Sequence, residues 1–512
     1  MNTHNKVFIL ILSTQLTLLL CAWLFSFLPA NSIFKYPTLN QWLIPEKDST
    51  ESYAHKLALL QQDKKPKNQI IPSKISAKDS THQKQKKLAV KDTNTYTRDT
   101  SEYAKRIALI NPKDASGNSA MDNFFKVLEQ MEYTQNAIHI AHYGDSQLMK
   151  GRISHDLGLA FQQQYGGSGP GYVAINDLTD VYPNRLVKRS KSSNWVMYGI
   201  TENPYLTNNY GIGGVHFRFS PPKESVDTTQ KLDFNRYKAY ITFETTEKFW
   251  KEYINFNRIS LLYGNAQVPC SLTVKIDDEP ERQVLLKPTT EPRILHFATK
   301  SGHHKVTLSF SAQKSPDIYG IYLNDSTGFH VGCYGISGHG GHNLKIMNPD
   351  ILTKQLKLTN TKLVILEYGG NVVAHMHDHN AEKIAQKMED IYYETLMMFK
   401  RILPEASIIF IGVQDMAHKV DGKYQSYKHI RTLLAAQKRA AERAGVAFWD
   451  LFKMMGEEGS IVYWQEKARP YLAFGDYMHF SWDGGKLIAE SLFKAIMNEY
   501  AEYKMRKMHK SY

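Results

Sequence analysis

Cysteine is scarce. The 512-residue chain has three, Cys21, Cys270 and Cys333, too few for a disulfide framework and without the paired spacing of a thiolate metal site. Cys21 lies inside an apolar run, whereas Cys270 and Cys333 are either a pair in an oxidising compartment or two isolated buried thiols. A phosphate-binding loop is also missing: the Gly-rich stretch from Tyr165 to Tyr172 lacks a Lys-Ser/Thr ending and follows a helical pattern, so it reads as a helix C-cap and surface loop. The formal net charge of +13 comes without a basic helix or an RNA-binding signature, and much of it sits between about Lys47 and Arg106. Nucleic acid is therefore excluded as a partner.

What the N-terminal region does have is one uncharged apolar run, Val7 to Leu28, long enough to cross the roughly 30 Å hydrocarbon layer as a helix. It exceeds the apolar region of a cleavable signal and ends in Phe27-Leu28-Pro29 rather than in small residues. The run is read as a signal anchor (7–28) behind a short tail (1–6), with the bulk of the chain outside the cytoplasm. Residues 29–118 are polar and Lys-rich and read as a tether. Within it, the similar pieces beginning at Ser52 and Glu102 are either short amphipathic helices or a chance likeness.

The length implies two or three units plus connecting segments. A globular pattern begins near Met121, and the apolar strand Ala137 to Tyr143 meets Gly144-Asp145-Ser146 before a helix expected from about Lys150 to Gln164. Strand, sharp turn and helix make an α/β unit. From about Val181 to Asp325 short alternating segments recur between turn residues, the pattern of an antiparallel β-sandwich. The α/β pattern then resumes with strands Lys362 to Tyr368, Ser407 to Gly412 and Val446 to Trp449, and helices Ala381 to Arg401, Ser426 to Ala444 and Gly485 to about Met505. The expected fold class is a doubly wound parallel α/β domain (119–180 and 329–512) interrupted by a β-sandwich insertion (181–328).

A serine hydroxyl becomes a useful nucleophile only when a neutral imidazole takes its proton and a carboxylate fixes that imidazole's tautomer. Ser146 stands at the carboxyl end of a strand, where α/β sheets expose side chains. Near the other end, Asp476-Tyr-Met-His479 places a carboxylate three residues before a histidine in one loop. Donors for a developing oxyanion are available at Gly338 and Asn371, each following an apolar strand-like segment. His375, His377 and His379, with His339 and His342, are dense enough to suggest a metal, but successive loop residues rarely face one ion, so no metal or other cofactor is expected.

In this order Gly144-Asp145-Ser146, Gly338, Gly370-Asn371 and Asp476-x-x-His479 resemble the four blocks of the SGNH (GDSL-like) hydrolase superfamily. The arrangement is similar to bacterial peptidoglycan O-acetylesterases, in which a carbohydrate-binding-like β domain is inserted between the first and second blocks. The resemblance implies Ser146 as nucleophile, His479 and Asp476 completing a triad, and an oxyanion hole from the Ser146 N–H, Gly338 and Asn371. It implies release of O-acetyl groups from a cell-envelope polysaccharide, peptidoglycan above all, by a periplasmic domain anchored in the inner membrane as a single-pass protein. Gln147, His339 and His375 are candidates for substrate contacts. Gln147 departs from the Leu or His frequent after the nucleophile, and Val372-Val373 follow Asn371 where an acidic residue is common. An acetyltransferase on the same scaffold, or a non-catalytic carbohydrate-binding protein, would share much of this pattern.

Overall fold

The computed structural model describes residues 99–510, apart from 132, 135, 177–185, 206, 223–231 and 247–253. The expected anchor (7–28) and the linker as far as residue 98 lie outside these. Among the described residues, no helix is long and apolar enough to cross a membrane.

In chain order, β1 (Ala137–Gly144) opens the α/β domain and helix Ser154–Tyr165 follows it. The chain then builds β2 (Gly171–Val173), β3 (Val187–Lys191), β4 (Val196–Gly199), β5 (Val215–Arg218), β6 (Tyr237–Thr245), β7 (Phe256–Gly264), β8 (Cys270–Ile276), β9 (Arg282–Leu286), β10 (Arg293–Gly302), β11 (Lys305–Ala312) and β12 (Asp317–Asn324). It returns as β13 (Gly328–Gly335), β14 (Thr361–Glu367), β15 (Ser407–Ile411), the hairpin β16 (Ala417–Val420) and β17 (Lys423–Ser426), and β18 (Ala447–Trp449).

Five of these strands form a parallel sheet in the order β13-β1-β14-β15-β18. Counted along the chain that is 2-1-3-4-5, so the direction of winding reverses between β1 and β14. Crevices form at the carboxyl ends of such a pair. Strands covered on both faces need apolar side chains on both, and β1 obeys this: Ile138 and Ile140 pack into one core layer, Ala141 and Tyr143 into the other. Helices Ala381–Ile402, Ile430–Ala444 and Trp482–Lys510 supply the covering layers, and Gly445, at φ 60°, ends the second of them.

The inserted strands make two antiparallel sheets, β10-β7-β12-β5-β4 with β2 beside β12, and β3-β6-β11-β8-β9. They enclose an apolar core containing Phe217, Ile241, Leu261 and Phe310, and β11 alternates buried and exposed positions as a one-sided strand should. Strand β12 is buried throughout. Its Ile321 faces the sandwich core, while Tyr319 and Tyr322 pack with Tyr143 and Tyr334 of the parallel sheet.

Several expectations are corrected. The packed chain begins by Asp99, not at 119: the Tyr103 hydroxyl lies 2.9 Å from Ser491 Oγ, Trp449 Nε1 donates to the Ile107 carbonyl at 2.8 Å, and Ile110 bridges to Phe448. The piece at Glu102 is a short helix, Glu102–Arg106. The antiparallel strands begin by Gly171 rather than after residue 181, because β2 already pairs with β12. Helix Ser154–Tyr165 starts four residues later than expected, since Lys150 (φ 63°) and Gly151 (φ 77°) hold left-handed conformations that no helix continues through. The stretch from Ser426 begins inside a hairpin rather than a helix, and the helix Pro349–Leu358, capped by Asn348, was not anticipated. Cys270 is buried in the sandwich core and Cys333 lies on β13, its thiol donating to the Leu148 carbonyl at 3.1 Å, and the two form no disulfide.

Candidate active site

Gly144 ends β1, where a Cβ would sit 2.9 Å from the Glu367 carbonyl. The chain turns at once: the Asp145 carbonyl accepts from the Leu148 N–H at 3.2 Å and Asp145 Oδ1 from the Gln147 N–H at 2.9 Å. This tight turn lifts Ser146 onto the carboxyl edge of the sheet, at the β1/β14 reversal. The second component is the loop before helix Trp482–Lys510, pinned at its base by the Ala473–Phe480 bridge and by the Phe474 N–H donating to the His479 carbonyl at 2.8 Å. Inside the loop Asp476 Oδ1 accepts from the N–H groups of Met478 (3.0 Å) and His479 (2.9 Å). The fold-back turns the His479 ring onto its own carboxylate.

The two components meet. Ser146 Oγ lies 2.7 Å from His479 Nε2, and His479 Nδ1 lies 2.7 Å from Asp476 Oδ2. Burial alone would raise the Asp476 carboxyl, but the His479 ring and the two backbone N–H groups outweigh it and hold it at about 2. Asp476 is therefore an acceptor at neutral pH, and a neutral His479 ring that donates to it through Nδ1 leaves Nε2 to accept from the serine hydroxyl. That is the tautomer a general base needs.

Gly338 and Asn371 line the same cavity as Ser146. Gly338 has φ 72° and open space where a side chain would be. Asn371 Nδ2 donates to Asp145 Oδ2 at 3.0 Å and to the His339 carbonyl at 3.2 Å, so both amide hydrogens are engaged in the resting site. Delivering one to an oxyanion requires release or sharing of the His339 carbonyl. Asp145 itself is buried and pushed up to about 7: burial raises it, nearby Glu367 adds to that, and the Gln147 N–H, His479 and Asn371 pull the other way.

Two proposed substrate contacts are engaged by the protein itself, Gln147 although it lines the cavity and His339 outside that lining. Gln147 is buried: its Nε2 donates to the Met478 carbonyl at 2.6 Å and its Oε1 accepts from the Phe480 N–H at 3.2 Å, bracketing His479 from both sides. It positions the loop. His339 is 1% exposed, its ring is stacked near His342 and edge-on to Tyr368, and burial, with His342, pushes it down to about 4. It is a structural member of the loop after β13. His375 does line the cavity, at its exposed rim. His377 and His379 stack on each other, and among the described residues no three metal-ligating side chains converge.

The cavity over Ser146 measures about 510 Å³. Its walls include Met149, Met416, Met478, Phe474 and Trp482, and the Arg152 guanidinium lies over the rings of Phe474 and Trp482, at 5.3 and 5.8 Å from their centroids. Sequence reading missed these walls and Arg152; the aromatic Phe474 beside Asp476 was their one visible signal. Chemically, the arrangement offers an activated hydroxyl under an apolar, aromatic-walled cleft.

No protein-family model matches the chain, nor does any curated protein. The fold matches that of a solved peptidoglycan O-acetylesterase. The match has a TM-score of 0.56 and 19% sequence identity, and covers 77% of this chain and 99% of the other. An acetyl xylan esterase, AlAXEase, matches with a TM-score of 0.26 at 19% identity over 33% of this chain and 81% of its own. A family two carbohydrate esterase from Cellvibrio japonicus matches with a TM-score of 0.24 at 10% identity over 62% and 99%.

Proposed function

We propose that the protein is a serine esterase of the SGNH type that removes O-acetyl groups from a cell-envelope polysaccharide, peptidoglycan in the first place. The observation that carries this reading is the continuous hydrogen-bond chain Ser146–His479–Asp476 beneath the cleft. Ser146 Oγ attacks the acetyl carbonyl while His479 Nε2 takes its proton. The oxyanion is met by backbone N–H groups at Ser146 and Gly338, with the Asn371 amide as third donor. His479 then protonates the departing sugar oxygen, the acetyl group stays on Ser146 as an ester, and a water activated by the same imidazole releases acetate. No cofactor enters these steps.

The polysaccharide assignment is supported by the fold shared with a peptidoglycan O-acetylesterase and by a cleft larger than an acetyl group needs. In this reading the apolar run 7–28 anchors the chain in the inner membrane with the catalytic domain in the periplasm, and the sandwich helps to hold the polymer. The test compares acetate release from O-acetylated peptidoglycan and from acetylated xylan, using the full chain and Ser146→Ala. Faster release from peptidoglycan, abolished in Ser146→Ala, is expected. Wild-type turnover by Ser146→Ala sinks the mechanism, and preference for xylan sinks the substrate.

A further inference from the structure

A second recess, of about 290 Å³, opens at the opposite end of the parallel sheet, where β1 and β14 begin and the sandwich strands β7, β10 and β12 abut them. The eight residues of β1 separate it from the turn carrying Ser146, roughly 26 Å at ~3.3 Å per residue. Its composition is unexpected for a seam between two packed units. Strand register places Arg258 opposite Asn324, and Ser260 opposite both Tyr322 and His296, so one patch of the sandwich sheet is polar here. Two positions further on, Leu262 packs against the α/β domain in the ordinary apolar way. His330, from β13, closes the floor and stacks on His139.

Two groups in this recess have unmet hydrogen-bonding capacity. Asn324 is 1% exposed; its Nδ2 donates to the Asp325 carbonyl at 2.8 Å, while its Oδ1 has no partner among the described residues. Arg258 Nε is likewise buried without an acceptor. A buried donor or acceptor left unmet is costly, so each of these two groups calls for a partner. Around them Ser260 Oγ and His296 Nδ1 already satisfy each other at 2.8 Å. Burial and the Arg258 charge both push His296 and His330 down, His330 to about 3. The recess is thus a cationic pocket whose imidazoles stay neutral, with Asp325 the carboxylate that acts on the guanidinium.

We propose that this recess binds an acidic sugar residue, its carboxylate received by the Arg258 guanidinium and a ring hydroxyl donating to Asn324 Oδ1. A neutral sugar would bring no carboxylate to the Arg258 Nε that lacks an acceptor, and a simple inorganic anion would leave the asparagine oxygen without a donor. The inference rests on the polysaccharide reading only for its choice of ligand class, and binding is measured without reference to ester turnover, so either can fail alone.

Calorimetric titration of the full chain with methyl β-glucuronide, methyl β-glucoside and inorganic phosphate tests it. The glucuronide is expected to bind roughly tenfold or more tightly than either of the others. Arg258→Gln should abolish this binding and Arg258→Lys should weaken it, with unchanged thermal melting showing that both variants fold. Asn324→Asp, which keeps an oxygen but repels the carboxylate, should also lose it. Absence of glucuronide binding, or its survival in Arg258→Gln, overturns the site. Phosphate binding as tightly as the glucuronide overturns the sugar assignment.

Discussion

Gln147 donates to the carbonyl of Met478 at 2.6 Å, across 331 residues of sequence. With the Phe480 N–H on its Oε1, the side chain next to the candidate nucleophile fixes the backbone on both sides of the candidate base. Replacing Gln147 by Leu should preserve the apolar volume and remove both bonds. The Ser146–His479 distance is then unsupported, and misplacement of reacting groups by about 1 Å can cost a hundredfold in rate. We expect kcat for a small acetyl ester to fall by roughly ten- to a hundredfold with KM little changed. An unaltered kcat would show that the loop is held elsewhere.

Asp145 makes the stability of the fold depend on pH in a direction opposite to that of most paired carboxylates. Its carboxyl stands near 7 in the folded protein against 3.8 in a free chain. Between those values the folded state holds a proton that the unfolded chain has released, so stability declines as pH rises through this window. Asp476, held near 2, works the other way: its contribution is present above about 4 and is lost only as pH falls toward 2. Asp145→Asn removes the buried charge and keeps an acceptor for the Gln147 N–H. Its stability relative to wild type, read from melting curves, should therefore rise between pH 5 and pH 8, by on the order of a few kcal/mol at most. Parallel melting curves at the two pH values would contradict this.

Phe474 and Trp482 flank the cleft as an aromatic wall backed by the Arg152 guanidinium. Aromatic faces bind the apolar faces of sugar rings, so Phe474→Ala should raise KM for an acetylated glycan several-fold, in line with a loss of about 1 kcal/mol. Turnover of a small aryl acetate, which needs no platform, should stay within about twofold under the same reasoning. Equal effects on the two substrates would place Phe474 in loop stability instead.

The parts of this site that were legible in the sequence are those whose cause is local. An apolar strand running into Gly144-Asp145-Ser146 shows a sheet edge, and an aspartate three residues before a histidine shows a loop that can fold back on itself. What the chain order concealed depends on partners far away. Nothing near Gln147 reveals that its amide meets Met478, and nothing near Tyr103 reveals the Ser491 hydroxyl that draws the supposed tether into the core. His339 misled for the converse reason: an imidazole beside an expected oxyanion donor suggests a substrate contact, and only burial shows that the ring faces inward. The antiparallel strands between β1 and β13 show in the sequence as a change of periodicity, but β2, three residues long, is too short for a pattern to mark their start.

The separation of 333 positions between Ser146 and His479 also sets a schedule. During synthesis the serine is made early, and its imidazole arrives only after the whole sandwich and most of the α/β domain have been produced. Domains tend to fold as their segments become complete, yet this one cannot close its sheet before β13 returns from the sandwich to lie beside β1. A chain that stops short of His479 leaves Ser146 without the imidazole that lies 2.7 Å from its hydroxyl in the folded protein.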